Sequence, residues 1–516
     1  MLLIYPPVVR ASEPPLGVAR LSALLRAHGL PVRVLDLCAE GLRWLAELPP
    51  DRVPVEPGDT WTRLALRRRE RHLRALTSPA GYGRFDCYRA AVGDLNRAVG
   101  AASSALSPGA VAGLADYRES SRSPLRRSDL LSAAAHFKDN PFFPFFSARI
   151  DAALSEFSAA EVGLSVNFLS QALCAFAIIG YLSRTRPGIR IVLGGGLITS
   201  WAAQGKLSVT DDFGGLVAAV VPGRGEDELL GFLGAARAVP TPAPDFSDFG
   251  WSGYFAPGPI VPYTFSFGCP WRRCTFCPEK AEGSRYEGLR IQTAIAQVQE
   301  LAERHSPSLI HFTDNEIGPA YLRALAASPP GAPWYGFARF SRDLLDPELC
   351  AALASSGCRM LQLGLESGDQ AVLDAMEKGT RTEEISRILA NLAAAGIGVY
   401  AYVLFGTPAE DRRAALATRD FVAAHADKID FLNVAVFNLP TASAEALRLR
   451  TRPFYEGELS LYAEFEHPTG WNRDEVRGFL ARDFESDARI RPILRRNPPV
   501  FTSNHAPFFL SPGGPR

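Results

Sequence analysis

Short apolar runs bounded by Gly and Pro recur along this chain. Residues 2–5 (LLIY) stop at Pro6 and Pro7, residues 16–29 (LGVARLSALLRAHG) carry apolar side chains at helical spacing and end at Gly29, and residues 31–37 (PVRVLDL) are apolar again. Continuous apolar runs of this length suit strands buried on both faces, so the opening is a β-α-β unit with parallel strands. The regularity breaks over about 42–150, where "LRRRERHLR", "PAGYG", "YRESSRSPLRRS" and "NPFFPFF" follow one another. This stretch is expected to be a largely helical insertion, its arginines on a solvated face and its aromatics packed against the domain. Alternation resumes with a strand at 161–168 (EVGLSVNF), a helix from Gln171 to Arg184, a strand at 189–196 (IRIVLGGG), a helix containing Trp201, the short strand "LVAAVVPG" and a helix opening at "GEDELLGFL". Residues 1–235 therefore form one open, Rossmann-like α/β domain, and the Pro/Gly-rich residues 236–260 suit a linker.

A second alternating series starts at 261–268 (VPYTFSFG). Strands are predicted at 308–313, 333–338, 359–365, 398–405 and 431–437, with helices at about 289–304, 319–327, 346–356, 382–395 and 411–426. Six strands are too few for a closed eight-stranded barrel. They suit a curled partial (β/α)6 barrel of TIM type over 261–440, with ligands at the strand carboxyl ends. Residues 441–516 are less regular and are expected to cap the substrate side. His505, Tyr455 and Trp471 lie there, and "FTSNHAPFF" is expected to dock the tail through its aromatics. No residue stands out as a catalytic acid or base.

With 516 residues, the chain is long enough for roughly three domains. Its 55 Lys and Arg balance 55 Asp and Glu, which argues against general nucleic-acid binding. Eight cysteines do not make a disulfide framework. The opening "MLLIYPPVV" reads as a buried strand rather than a signal peptide, and no run reaches the ~18 apolar residues of a membrane span. A reducing cytoplasm is the expected location.

Three of the eight cysteines, Cys269, Cys274 and Cys277, fall within "FGCPWRRCTFCPEK". One metal centre is the economical explanation. Zinc normally takes four ligands, and His305 and His311 lack convincing spacing for the fourth place. An iron–sulfur cluster on three thiols would leave one iron open to a substrate or cofactor. Both centres remain possible on spacing alone. The loop follows the first strand of the second series, at the end of a sheet where such folds keep their chemistry.

The stretch "CPWRRCTFC" resembles the signature of radical S-adenosylmethionine (SAM) enzymes, with one residue more than their usual C-x3-C-x2-C. The resemblance implies a [4Fe–4S] cluster on Cys269, Cys274 and Cys277, and SAM on the open iron. It extends over roughly 261–440. "HFTDNE" implies Asp314 and Asn315 at the methionyl part of SAM, and Arg339 would meet its carboxylate. "LQLGLESGDQAVLDAMEKG" implies Glu366 and Ser367 as ligand-facing, with little weight on Lys378. "VLFGTPAED" resembles the adenine-contact segment, with Gly406 and Pro408 shaping the turn. Residues 1–235 resemble the cobalamin-binding domain of one radical SAM subgroup through "YPPVV", "PPLGVARLSALLRAHG", "VRVLDL", "VGLSVNF", "IVLGGGLITS" and "VVPGRGEDELL". The corrin shelf implied by that resemblance comprises Gly194, Gly195, Gly196, Ser165, Asn167, Gly223 and Glu226. The early loop has no histidine, and His28 sits at the end of a helix, so cobalamin is expected without a histidine lower ligand. The first βα turn lacks G-x-G-x-x-G, which argues against NAD. The subgroup implies methyl transfer to an unactivated carbon or to phosphorus, with an unactivated carbon expected here, through methylcobalamin. Cyclisation or rearrangement without methylation, or an iron–sulfur sensor module, are the alternatives. The implied partners are a small-molecule, lipid or peptide substrate and an electron donor such as flavodoxin or ferredoxin.

Overall fold

The computed structural model describes residues 1–499 and 505–510. Contacts divide the chain into two units, one of residues 1–258 with Tyr455–Leu461, the other made of most of the remainder from Pro259.

The first unit is built on a five-stranded parallel sheet. Its strands are β1 (Leu2–Tyr5), β2 (Arg33–Asp36), β3 (Glu161–Ser165), β4 (Arg190–Gly194) and β5 (Ala219–Val221). They lie in the order β2-β1-β3-β4-β5, with Leu2 opposite both Arg33 and Val162. This is the flavodoxin-like doubly wound order, whose ligand crevice opens where the strand order reverses, between β1 and β3. Helix Leu169–Thr185 is apolar almost all round and buried along most of its length, as a helix inside a domain must be. Its buried Gln171 accepts the N–H groups of Asn167 (2.8 Å) and Phe168 (3.2 Å) and donates to the Pro6 carbonyl (2.8 Å), tying the ends of β3 and β1 together.

Between β2 and β3 the chain is mostly helical. Helices Thr60–Leu76 and Phe85–Leu106 pack together, and helix Arg127–Ala135 packs on Leu169–Thr185. A small hairpin (Ala110–Ala112 with Tyr117–Glu119) had no signal in the sequence pattern. The aromatics of "NPFFPFF" are structural: Phe142 and Phe146 are buried, and Phe143 and Phe146 meet Tyr181 edge-on. Of residues 236–260, read as a linker, those up to 258 belong to the first unit. Asp245 N–H donates to the Ala19 carbonyl (3.0 Å), Phe255 N–H to the Ala11 carbonyl (2.8 Å), and Tyr254 Oη to Asp36 (2.7 Å). Asp36 also caps helix Leu37–Glu47, and burial pushes its carboxyl up to about 6.

The second unit holds a six-stranded parallel sheet. Its strands are β6 (Ile260–Tyr263), β7 (Leu309–Phe312), β8 (Trp334–Ala338), β9 (Cys358–Glu366), β10 (Gly398–Phe405) and β11 (Phe431–Val436), each paired to the next. Helices Ile291–His305, Pro319–Ala327, Pro347–Ser355, Thr382–Ala394 and Arg412–Ala424 make the crossovers. Strictly sequential parallel order with helical crossovers is that of a partial (β/α)6 barrel. The first strand is shorter than its apolar run: it ends at Tyr263, and Ser266–Phe267 instead pairs antiparallel with Glu287–Gly288.

The C-terminal region is more ordered than its sequence implied. It forms a three-stranded antiparallel sheet (Leu439–Pro440, Thr451–Pro453, Tyr462–Phe465) and helices Arg473–Phe479 and Ile490–Arg496. The Asn497 side chain bonds both backbone groups of Leu432, closing the edge of β11. Of "FTSNHAPFF", the first four residues lie outside the described residues. His505 stacks on Tyr400 (4.4 Å between centroids), and Phe508 and Phe509 meet Phe431.

Candidate active site

The cysteine loop leaves the Ser266–Phe267 segment and runs to a short helical turn, Pro278–Ala281, with Cys277 just before it. All three thiols are free. Cys274 is buried, Cys269 and Cys277 are half-buried, and burial pushes the last two thiols up. Within the longer first gap, Arg272 adopts a left-handed turn (φ +50°). That turn lays Trp271 against the neighbouring loop, its Nε1–H donating to the Glu377 carbonyl at 2.8 Å. The Arg339 guanidinium stacks 4.6 Å above the Trp271 ring. Thr275 N–H donates to the Met376 carbonyl at 3.0 Å, so the loop is pinned at two places to residues 376–377.

Arg339, just past β8, is the hub of this end of the sheet. It donates to Cys274 Sγ (3.6 Å) and to the Lys378 carbonyl, and its Nε lies 3.7 Å from Glu316 Oε2. Glu316 is buried and sits 3.4 Å from Cys269 Sγ. Burial raises its pKa, and Arg339 partly offsets that. A second buried pair lies beside it, with Lys378 Nζ 2.8 Å from Glu366 Oε1 and 5.6 Å from the Phe276 ring. Glu366 is held in a left-handed conformation (φ +60°) at a register shift between β9 and β10, a device that re-aims a side chain at a strand end.

The remaining sequence candidates of this unit are placed as follows. Asp314 is buried; its carboxylate accepts Phe265 N–H (3.0 Å) and Ser266 Oγ–H (2.7 Å), and burial pushes it up to about 6. It therefore braces the strand that feeds the cysteine loop, while Asn315 is exposed beside it. The buried Ser367 Oγ meets Thr418 Oγ1 (3.0 Å) and accepts Asp369 N–H (3.1 Å). Gly406 is left-handed (φ +78°) at the end of β10, followed by the half-buried Pro408. Sequence reasoning passed over Glu316 and Trp271 and gave Lys378 little weight. "HFTDNE" did carry the signal for Glu316, a glutamate on an apolar strand end.

In the first unit, Gly194, Gly195 and Gly196 end β4 beside Ser165 and Asn167. Asn167 accepts Gly196 N–H at 2.7 Å and donates to Ser165 Oγ at 3.2 Å. Gly195 is required: φ is +108°, and an added Cβ would stand 2.5 Å from the Val166 carbonyl oxygen. Gly223, exposed after β5, donates to Thr199 Oγ1 at 2.8 Å. Glu226 is buried among Arg20 (2.9 Å), Arg224 (2.8 Å) and Arg237 (2.8 Å); burial works against its ionised form, but these cations hold its pKa below the usual value. Phe168, 57% exposed beside the glycine shelf, is an apolar surface that the sequence reading did not single out.

Residues 263–422 match the model of the Radical SAM superfamily. The matched stretch lies within the second unit and contains the cysteine loop. Two methyltransferases are similar over part of the chain. Bacteriochlorophyllide d C-12(1)-methyltransferase of Chlorobaculum tepidum is 27% identical over 191 residues, 35% of this chain and 40% of that protein. Cytidylyl-2-hydroxyethylphosphonate methyltransferase of Streptomyces wedmorensis is 25% identical over 242 residues, 44% of this chain and 45% of that protein. The matched part spans less than half the length of either relative. Among solved structures, the radical SAM methyltransferase TsrM of Kitasatospora setae, with cobalamin and a [4Fe–4S] cluster bound, superimposes with a TM-score of 0.53 at 17% identity, covering 87% of this chain and 77% of that one. The cobalamin-dependent radical enzyme OxsB, with aqua-cobalamin bound, gives 0.51 at 14%, covering 84% and 53%. At these identities the likeness is one of fold, and it extends through both α/β units.

Among the described residues, no group of three or more His, Cys, Asp or Glu side chains is gathered to hold a single metal ion. A cubane spreads its thiolates over separate irons, so three free thiols on one loop suit it, with Arg339 donating to one sulfur.

Proposed function

We propose that this chain is a cobalamin-dependent radical SAM methyltransferase acting on an unactivated carbon. The observation that carries the reading is the loop of three free thiols within the stretch that matches the Radical SAM superfamily, in a chain whose first unit has a flavodoxin-like sheet ending in a glycine shelf. The methyltransferase relatives support methyl transfer as the reaction class.

In this reading Cys269, Cys274 and Cys277 hold a [4Fe–4S] cluster, and Trp271 and Arg339 keep the loop in place and screen it from water. Glu316 and Glu366 present carboxylates at strand ends, one beside Arg339 and one beside Lys378, where an ammonium or ribose hydroxyl is recognised. Arg339 offers a carboxylate its planar fork of donors. Gly406 and Pro408 bring bare backbone to a flat base. Ser165, Asn167, Gly194, Gly195, Gly196 and Gly223 form a smooth, uncharged shelf for a corrin, and Phe168 adds an apolar edge. Glu226 acts behind the shelf, locking Arg20, Arg224 and Arg237. The cluster with SAM supplies a 5′-deoxyadenosyl radical, and cobalamin supplies the methyl group. The proposed surroundings are cytoplasmic, with a flavodoxin or ferredoxin as electron source. Among the described residues, no helix is long and apolar enough to cross a membrane.

The test is anaerobic reconstitution with iron, sulfide and hydroxocobalamin, desalting, and a count of both metals. Incubation with methyl-labelled SAM, reductant and candidate substrates follows. Retained cobalt with about four irons, SAM cleavage and transfer of label are expected. Four irons without cobalt would remove the corrin and the methyl-transfer reading with it.

A further inference from the structure

The segment following the C-terminal sheet crosses the carboxyl ends of β10 and β11. Its contacts fall on the turn Gly406–Pro408. His467 Nε2 lies 2.9 Å from the Thr407 carbonyl oxygen, and its Nδ1 accepts Thr469 N–H at 3.2 Å. A carbonyl only accepts, so the ring is the neutral Nε2–H tautomer, and burial lowers its pKa to keep it so. Trp471 Nε1–H donates at 3.0 Å to Glu410 Oε2, the same oxygen that accepts Gly406 N–H at 2.5 Å. Asn472 Oδ1 accepts His467 N–H (3.1 Å), and Arg473 donates to the Phe437 carbonyl (3.3 Å) and Asn438 Oδ1 (2.9 Å) beyond β11.

Glu410 is 1% exposed, His467 4% and Trp471 6%. Burying an acid and an imidazole is costly, and apolar side chains would close the same gap more cheaply. What the polar groups add is direction: one N–H and one carbonyl of a three-residue turn are each gripped by a side chain. A Cβ on Gly406 would lie 3.1 Å from Val476 Cγ2, so the turn has no slack on that side either. All three gripping side chains but Glu410 lie outside residues 263–422, the part that matches the family model.

We propose that residues 467–473 form a strap that belongs to the SAM site. It fixes the backbone of Gly406–Pro408 in the shape that receives the adenosyl end, with Glu410, His467 and Trp471 as positioning residues. This rests on the functional reading above.

The experiment uses the full-length, anaerobically reconstituted protein and measures SAM affinity by equilibrium dialysis, with iron content and melting temperature alongside. Trp471→Phe keeps an aromatic ring but removes the N–H donor together with the pyrrole half of the indole. Glu410→Ala removes the shared acceptor, and Glu410→Gln restores an acceptor oxygen. The expected result is about a tenfold loss of SAM affinity in Trp471→Phe and Glu410→Ala, the size of one well-formed hydrogen bond. Glu410→Gln should recover most of it, and Trp471→Phe should keep the wild-type iron content, with a fall in melting temperature of only a few degrees. Wild-type SAM affinity in both Trp471→Phe and Glu410→Ala would overturn the proposal. So would losses of affinity that track equal losses of iron and melting temperature in every variant, since the strap would then be structural only. A wild-type protein that holds iron but binds no SAM would sink the functional reading itself.

Discussion

At the carboxyl ends of β3, β4 and β5 the polar side chains are few, and they satisfy one another. Asn167 bridges Ser165 and Gly196, and Glu226 is ringed by three arginines, leaving glycine backbone and Phe168 as the surface. At the ends of β7, β8 and β9 the opposite holds. Two ion pairs, Arg339–Glu316 and Lys378–Glu366, are nearly buried beside three thiols. Both units are parallel sheets with chemistry expected at the same edge. In the function proposed above, the first suits a large flat ligand recognised by area, the second a small charged one recognised by its ionic groups. Fold alone does not distinguish them; the charge carried into the strand ends does.

The largest effect that would break this contrast comes from the thiols. Cys274→Ala is expected to abolish cluster retention, with iron falling from about four per chain to near zero, while retained cobalt stays at its wild-type level. Loss of both metals together would mean that the two sites are not independent. Next in size is the buried pair. Lys378→Met leaves Glu366 without its cation and is expected to destabilise the protein by about 3–5 kcal/mol in chemical denaturation, whereas Lys378→Met with Glu366→Gln should recover much of that.

A smaller effect follows from Glu410. Burial, chiefly, pushes its carboxyl up to about 7 from an ordinary 4.5. The folded state thus holds this proton more tightly than the unfolded chain. Its contribution to stability is complete below pH 4.5, fades as pH rises and is gone above about 7. Glu410→Gln should flatten the pH dependence of stability across that window by up to about 3 kcal/mol; an unchanged slope would show that another group carries it. The smallest change probes the shelf. Gly195→Ala, strained by φ and by contact with Val166, is expected to weaken cobalamin retention about tenfold, roughly 1.4 kcal/mol, without changing iron content. Equal loss of iron would mean that the glycine serves folding in general.

Much of this architecture could be read from local pattern. Strands buried on both faces are apolar runs, so β1, β8, β10 and β11 were visible within a residue or two, and the cysteine spacing located the loop. Elements defined by distant partners were not visible. Glu316 is 47 residues from Cys269, and Trp471 is 61 from Glu410. Nothing near either residue encodes the meeting. The Ala110–Glu119 hairpin was hidden because its strands are three residues each, shorter than any period can register. Asp314 looked like a ligand because it ends a strand, but its carboxylate faces the backbone of residue 265 and the Ser266 hydroxyl, a pairing that no spacing rule reveals.

The first unit reclaims Tyr455–Leu461 from far down the chain. Leu459 N–H donates to the Leu125 carbonyl (3.0 Å), and its own carbonyl accepts Trp201 Nε1–H (2.9 Å). During synthesis, the earlier residues of that unit emerge from the ribosome long before this segment does. The first unit is therefore completed only after all six strands of the second unit's sheet have been made, and until then Trp201 lacks its final hydrogen-bond acceptor.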